Sequence, residues 1–523
     1  MRDKGFGISR RALCLAAGAF ASMWMLGAGA YAQDVPEGID PDATIQAAIA
    51  YGLNGTFDPM SASGAVTVAV NWHLFEGLVD LDPVTREPYA ALAAEMPVSE
   101  DGLTYTIKLR EGAVFHDGTP VTADDVVFSF ERVLDPESKS LFRSFVAFVD
   151  TVEAVSADTV KITTKYPFSL FNQRLGSVKI VPKAAVEADA EAFGTQPIGT
   201  GPYKLISATP EAQIVFERND AYTGPRPALA KDMVWNLIAD PSARVNALSS
   251  GTVMAIEDVP YIDVDAVAAT STLEKAQSFG LLFAMFNTQA EPFDDVRVRQ
   301  AFFYALDMDK IIGTGMLDNA VAATSFLPAT HPNYHEAAVV YDYDPEKAKA
   351  LLAEAGTPTL DITLMSTDHG WVKDVAPIIK ESLDQVGFNT TLDIGQSGGQ
   401  YGKVDAGEMQ VMIAPGDPSV FGNDPDILMQ WWFGDNVWPK TRYRWAESEG
   451  YKALTALLEE AQRLSGDEQQ AKWNEAFDLL SEEVPLYPLL HRQLPTAWNA
   501  DELEGFAPVP TTGLSFLGVG VKE

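Results

Sequence analysis

Leu103-Thr104-Tyr105-Thr106-Ile107-Lys108-Leu109 alternates apolar and polar side chains, the period-two pattern of a strand with one buried face. Gly112, Asp117-Gly118 and Pro120 break that pattern into a turn, and Thr122 is placed to cap a helix whose first turn carries Asp124 and Asp125. Val126, Val127 and Phe130 give the helix its apolar side. A second alternating piece, Thr159 to Thr163, follows closely enough to belong to the same lobe, so strands and a helix are expected to fold together here.

The same kind of punctuation recurs on both sides of this stretch. Upstream, Ile45 to Leu53 reads as a strand or short helix before the turn-like Asn54-Gly55, and a new region opens near Leu78. Downstream, Gly199, Gly201 and Pro202 surround Thr200 in a passage between lobes, and Gln213 to Arg218 is a strand. Ser242 to Ser249 is helical by pattern, with Ala243, Ala247 and Leu248 spaced for one face. An apolar strand runs from Gly280 to Phe286, and Asp294-Asp295 starts a helix that turns Val298, Ala301, Phe302 and Ala305 inward. Pro345 to Ala355 is a helix opened by Asp-Pro-Glu and closed by Gly356. A strand at Leu360 to Met365, a helix at Ala376 to Val386 and a strand at Thr390 to Ile394 continue the α/β alternation, which suits a mixed or parallel sheet covered by helices. Architecture of this kind is shared by many enzymes and binding proteins and does not decide function.

Residues 1 to 32 read as an export signal. Ser9-Arg10-Arg11 precedes an apolar Ala/Gly-rich run from Ala12 to Gly29, and Ala30-Tyr31-Ala32 supplies the small residues of a cleavage site. The paired arginines suit the twin-arginine route, and an ordinary secretory signal is the other reading. No later stretch reaches the roughly 20 apolar residues of a spanning helix. The chain's single cysteine, Cys14, lies inside the signal, so a mature periplasmic protein would have no disulfide, thiolate metal site or cysteine nucleophile.

Removing the four basic residues and one acidic residue of the signal from the 37 and 73 of the whole chain leaves 33 against 72, a mature net charge of −39. A field of that sign repels nucleic acid and anionic membrane surfaces and favours cationic or zwitterionic solutes, although it also serves solubility. Hydrophobic content of 47% argues against disorder, and 491 mature residues call for two or three lobes.

Several motifs together resemble the family 5 extracellular solute-binding proteins of oligopeptide, dipeptide and nickel ABC importers. The strongest is Asp101-Gly102-Leu103-Thr104-Tyr105-Thr106-Ile107-Lys108-Leu109-Arg110, continuing through Phe115-His116-Asp117-Gly118-Thr119-Pro120 to Ala123-Asp124-Asp125-Val126-Val127-Phe128-Ser129. Gly199-Thr200-Gly201-Pro202-Tyr203, the run from Phe293 to Ala301, and Tyr343-Asp344-Pro345-Glu346-Lys347-Ala348 follow in the family's order, with Phe75-Glu76-Gly77-Leu78 near the start. The resemblance implies an α/β fold of the periplasmic-binding-protein type, class II, with two major lobes joined by a hinge and an additional smaller lobe. It implies a first lobe built from residues 33–75, 180–278 and 489–523, a smaller lobe at 76–179 and a third at 279–488. It also implies a protein that closes on a small-molecule or peptide ligand, leaves it chemically unchanged and delivers it to an inner-membrane ABC permease. A monomer is expected.

The candidate pocket segment is Pro415-Gly416-Asp417-Pro418-Ser419-Val420-Phe421-Gly422-Asn423-Asp424-Pro425-Asp426, whose glycines and prolines can hold carboxylates in a shaped loop. In peptide-binding relatives an aspartate of a comparable region receives the ligand ammonium. The resemblance points to Asp417, with Asp424 as competitor and Asp426 beside it, and all three could instead cap turns. Trp431 and Trp432 follow; were the segment extended, adjacent side chains would point opposite ways and at most one would face the cleft. Either could stack on a sugar, an aromatic group or a cation, or be buried core. Trp72 and Phe75 are candidates for the opposite wall. Arg442 is a candidate contact near the aromatic segment, with Arg444, though both could pair with the chain's many acids; no basic residue has a local motif that assigns it to a ligand carboxylate.

The leading expectation is a periplasmic binding component for peptides or amino-acid-containing solutes, with an oligosaccharide or opine as the alternative. Six dispersed histidines give poor support for bare nickel, and no cofactor or resident metal is expected; haem has no support outside the family. His116 is read as structural. An exported hydrolase would need a convergent nucleophile or carboxylate pair, for which no local motif speaks, so no catalytic residue is assigned. A purely structural envelope protein is the third class, to be separated by the presence of a ligand-sized cleft.

Overall fold

The strand Thr104–Lys108 buries Tyr105 and Ile107 and exposes Thr106 and Lys108. The computed structural model describes residues 35–523 except positions 54, 139 and 141, so the export segment and Asn54 of the expected turn lie outside the described residues. Thr104–Lys108 pairs antiparallel with Thr159–Thr164, which pairs with Val149–Ser156, and the Tyr105 ring stacks on Phe171 at 3.6 Å. Helix Ala123–Leu134 lies with this sheet; the Asp125 carboxylate accepts the Thr122 backbone N–H at 3.0 Å and its hydroxyl at 2.6 Å. Val126, Phe130 and Val133 are buried, whereas Val127 is only half-buried. The stripe recurs at three and four residues, which places Ser129 inside in its stead. Ser129 is satisfied there, donating to the Asp125 carbonyl at 2.7 Å and accepting the Val181 N–H at 3.0 Å.

The two major lobes share an eleven-stranded sheet. One half runs through Ala255–Ile256, Thr44–Ile49, Asp232–Leu237, Gln213–Arg218 and Tyr203–Thr209, and the other through Val411–Gly416, Leu360–Thr367 and Phe388–Gly395. Two long antiparallel strands, Thr272–Phe286 and Leu486–Trp498, pass through both halves. Their register breaks between Gln277 and Leu281, a local irregularity at Ser278, Phe279 and Gly280. The apolar strand read at Gly280 to Phe286 thus begins earlier. Its polar stretch Thr272–Gln277 pairs with Gln493–Trp498, while Leu281–Phe286 is fully buried against Val411–Gly416.

The helix Val296–Tyr304 buries Val298, Ala301 and Phe302, with Ala305 just past its end, and Asp295 caps it by accepting the Arg297 N–H at 2.8 Å. Asp344 does the same for Pro345–Glu354 through the Lys347 N–H at 2.9 Å, and Gly356 takes the left-handed turn at φ 80. Helix Pro241–Ser249 departs from the pattern reading. Ala243 is exposed and Arg244 is buried instead, because its guanidinium satisfies the carbonyls of Ile238, Ala239 and Asp258.

The apolar interior falls into separate clusters. One gathers Ile45, Phe75, Phe216, Trp235 and Phe516 of the Thr44 half. Another continues from the three-stranded unit, through Phe130, Phe145 and Phe171, into Phe283, Trp432 and Phe477 of the Val411 half. Among the described residues no helix is long and apolar enough to cross a membrane.

Candidate ligand-binding site

A cavity of ≈ 380 Å³ lies between the two halves of the sheet. Its floor includes Gly280 and Leu281 beside the register break and Pro415 to Pro418 at the end of Val411–Gly416. Tyr51, Ser63, Ala65 and Thr512 enter from the Thr44 side. The close approach depends on Gly416, where a Cβ would come within 2.6 Å of the Trp432 ring.

Asp417 is at the junction. Its Oδ2 accepts the Thr512 N–H at 2.9 Å and the hydroxyls of Thr511 at 3.0 Å and Thr512 at 3.1 Å, all from the closing segment of the other lobe. Its Oδ1 accepts one side-chain hydrogen bond, from Ser419. A carboxylate oxygen offers two lone pairs, so Oδ1 retains capacity for a further donor.

Asp424 and Asp426 belong elsewhere. Arg174, 1% exposed in its side chain, donates to Asp424 at 2.6 and 3.0 Å and to Asp426 at 2.6 Å, and Gln462 donates to Asp426 at 3.1 Å. Burial alone would lower the Arg174 pKa, but the two carboxylates outweigh it and hold it above its ordinary value. Asp424 also accepts the Ile427 N–H at 2.9 Å and so caps Pro425–Phe433. That helix corrects the extended reading of Trp431 and Trp432. Adjacent helical side chains diverge by roughly 100° rather than 180°, and both indoles line the cavity.

Trp432 is buried against Phe283 at 5.0 Å and Trp438 at 4.5 Å, whereas Trp431 is half-buried with its ring 4.8 Å from Phe421. Arg442 lies in the wall, its guanidinium 4.6 Å over Tyr401 and 4.2 Å over Trp438, with Asp405 at 3.2 Å. The other two candidates for the opposite wall are displaced from this chamber. Phe75 is buried beside Phe193 in the core of the Thr44 half, and Trp72 lines a smaller neighbouring cavity. His116 accepts the Gly199 N–H at 3.1 Å through Nδ1 and meets the Gly201 carbonyl at 3.1 Å through Nε2; burial pushes its pKa down to about 4. The neighbouring glycines are needed for contact, since a Cβ on Gly199 would fall 1.8 Å from the Leu74 carbonyl oxygen.

Sequence reasoning missed Arg492. It projects from the crossing strand into the lining, donating to Asp258 at 2.8 Å and to the Tyr51 hydroxyl at 2.9 Å, with Trp371 5.1 Å below its guanidinium. A cation shortly after the apolar run Leu486–Leu490 was the available signal. Three buried polar atoms of the lining have no hydrogen-bond partner among the described residues: His369 Nδ1, Trp371 Nε1 and Trp432 Nε1. Burial lowers the His369 pKa, which favours the neutral imidazole. Among the described residues no group of three or more His, Cys, Asp or Glu is arranged to hold a metal ion.

Two lobes bridged by a pair of crossing strands, with a ligand-sized chamber at the crossing, define a substrate-binding protein of the periplasmic-binding-protein class. The chain belongs to the bacterial extracellular solute-binding proteins, family 5, whose description matches residues 87–451. It is similar to the glutathione-binding protein GsiB of Escherichia coli O1:K1, 29% identical over 91% of this chain and 94% of that one. It is also similar to AgaA of A. tumefaciens R10, solved with agropinic acid, with 27% identity, a TM-score of 0.82 and coverage of 92% of this chain and 99% of that one. DppA from Helicobacter pylori, solved with the peptide STSA, shares the fold at 23% identity and a TM-score of 0.81, covering 92% of this chain and 98% of that one. The chain is thus a periplasmic substrate-binding component of an ABC importer.

Proposed function

We propose that the ligand is a peptide or another amino-acid-containing solute whose ammonium group binds Asp417 and whose oxygens meet other polar groups of the lining. The observation that carries this reading is Asp417 itself, a cleft-lining carboxylate whose Oδ1 takes only one side-chain donor among the described residues. A charge-assisted bond formed there, away from water, selects and orients an amine. Trp371 and Trp432 line the same chamber, and their indole N–H groups have no partner among the described residues. The glutathione and peptide named for the two relatives support the same class.

In this proposal the ligand leaves chemically unchanged, the protein works as a monomer, and residues 1–32 direct export, by the twin-arginine route or the general secretory one. The lobes are residues 33–75, 180–278 and 489–523; 76–179; and 279–488. After exposure to a mixture of short peptides, native mass spectrometry should find amine-bearing peptides retained; retention of neutral saccharides alone would overturn the assignment. The second reading, an oligosaccharide or opine, is favoured by four indoles in the wall, Trp371, Trp431, Trp432 and Trp438, and by the agropinic acid bound in AgaA.

A further inference from the structure

Arg86 stands apart among the cations of this acidic chain. It is half-buried and forms no ion pair among the described residues, while Asp82 is paired with Arg226 and Asp80 with Lys179. Burial lowers its pKa to about 10, which leaves it charged at neutral pH, and Asp417 and then Asp82 are the carboxylates that act on it from nearby. Its backbone is left-handed at φ 63, a conformation that glycine adopts freely and arginine rarely. The guanidinium leads to Asp417. Its Nη2 donates to the Ser419 carbonyl, and Ser419 donates its own hydroxyl to Asp417 Oδ1. One serine and two hydrogen bonds thus separate this cation from the carboxylate oxygen that has spare capacity, a span of at most about 10 Å. Arg86 also lines a cavity of ≈ 70 Å³ that adjoins the chamber, with Val420 and Phe421 in the walls of both. That is several times the roughly 10–15 Å³ that one water needs, which is room for a carboxylate.

We propose that Arg86 receives a carboxylate carried next to the ligand's ammonium, so that the protein selects solutes with a free α-amino-acid end. The inference rests on the amino-acid-containing reading above and sharpens it. An α-ammonium and its α-carboxylate, with a hydrogen bond at each end, span roughly 9 Å, which the separation of Asp417 and Arg86 allows. The two termini of an extended dipeptide lie one residue farther apart and need roughly 12 Å. A zwitterion laid between Asp417 and Arg86 pairs both of its charges at once, whereas a lone amine leaves the guanidinium without an anion. The favoured class is therefore free amino acids and derivatives extended through the side chain, such as γ-glutamyl peptides, over ordinary α-linked peptides.

The test titrates two isomers, γ-glutamylalanine and α-glutamylalanine, into the protein by calorimetry, together with the γ isomer amidated at its α-carboxylate. The γ isomer should bind about 10-fold more tightly than the α isomer, and amidation should cancel that advantage in the wild type, without recourse to any variant. Arg86→Gly suits the left-handed backbone and keeps the fold; it should bring the two isomers to within about 2-fold, while Arg86→Lys retains part of the preference. An α isomer that binds as well as the γ isomer, or a preference that survives Arg86→Gly, overturns the inference. If that α isomer still loses at least about 10-fold on N-acetylation, the ammonium reading of Asp417 stands without it. If neither isomer binds, both fall together.

Discussion

Asp417 and the pair Asp424 and Asp426 come from one Pro/Gly-rich stretch of sequence, yet they have opposite fates. Asp417 lines the chamber and is held by neutral donors of the other lobe, whereas Asp424 and Asp426 are tied to a guanidinium that has almost no contact with water. The difference teaches that a carboxylate's role here follows from the partner the fold delivers, not from its local sequence. A buried arginine must be neutralised, so Arg174 claims whichever acids it reaches. Hydroxyls and an amide N–H hold Asp417, with the Arg86 guanidinium nearby, and its Oδ1 keeps capacity for a further donor.

The largest break in that contrast comes from Arg174→Met. It strands two carboxylates in a dry setting and should cost about 3–5 kcal/mol in urea denaturation, with most of the loss recovered by adding Asp424→Asn and Asp426→Asn. If the single change cost no more stability than a change at Asp417, the distinction between the two ends of the loop would collapse.

Glu257 extends the comparison to a buried carboxylate that accepts the Ala50 N–H at 2.9 Å without an arginine clamp of its own. Burial pushes its pKa up to about 7 from the ordinary 4.5. A raised folded-state value contributes stability that is present below about pH 4.5 and lost as pH rises through about 7. The wild type should therefore fall behind Glu257→Gln across that window, by at most about 3 kcal/mol, in melts recorded from pH 4.5 to 8. A gap that stays constant with pH would rule out this titration.

Asp417→Asn should shift binding rather than folding. Affinity for an amine-bearing peptide should drop by about 2 kcal/mol, roughly 30-fold in calorimetry, while affinity for its N-acetylated form changes little. Equal losses for both ligands would remove Asp417 from ammonium recognition. The smallest effect is expected at Trp431, whose half-buried ring has less packing to lose than Trp432: Trp431→Ala should weaken binding by about 1 kcal/mol with little change in the urea midpoint.

Much of the fold was legible because its signals are local. Thr122 with Asp125, and Asp344 with Pro345, announce helix starts within a few residues, and the amphipathic Val296–Tyr304 announces its buried face. Asp424-Pro425-Asp426 carries the same capping signal as Asp344-Pro345-Glu346, but reading it as pocket loop hid the helix that presents Trp431 and Trp432. The rest depends on long-range pairing. Nothing near Arg174 in sequence indicates that it meets Asp424, and nothing near Arg492 indicates Tyr51 and Asp258. Ala243 shows the same limit from the other direction: the spacing was right for an apolar face, but Arg244 found three carbonyls to satisfy and took the inner position.

The irregularity at Ser278 to Gly280 has a mechanical consequence. A Cβ at Gly280 would lie 3.6 Å from Asp417 Oδ2, so Asp417 sits beside the break in the two crossing strands. A rotation of the lobes about that break would displace Asp417 little and sweep the outer walls through long arcs. Under the proposed function, docking the amine and shutting out solvent then fall to different radii of one lever.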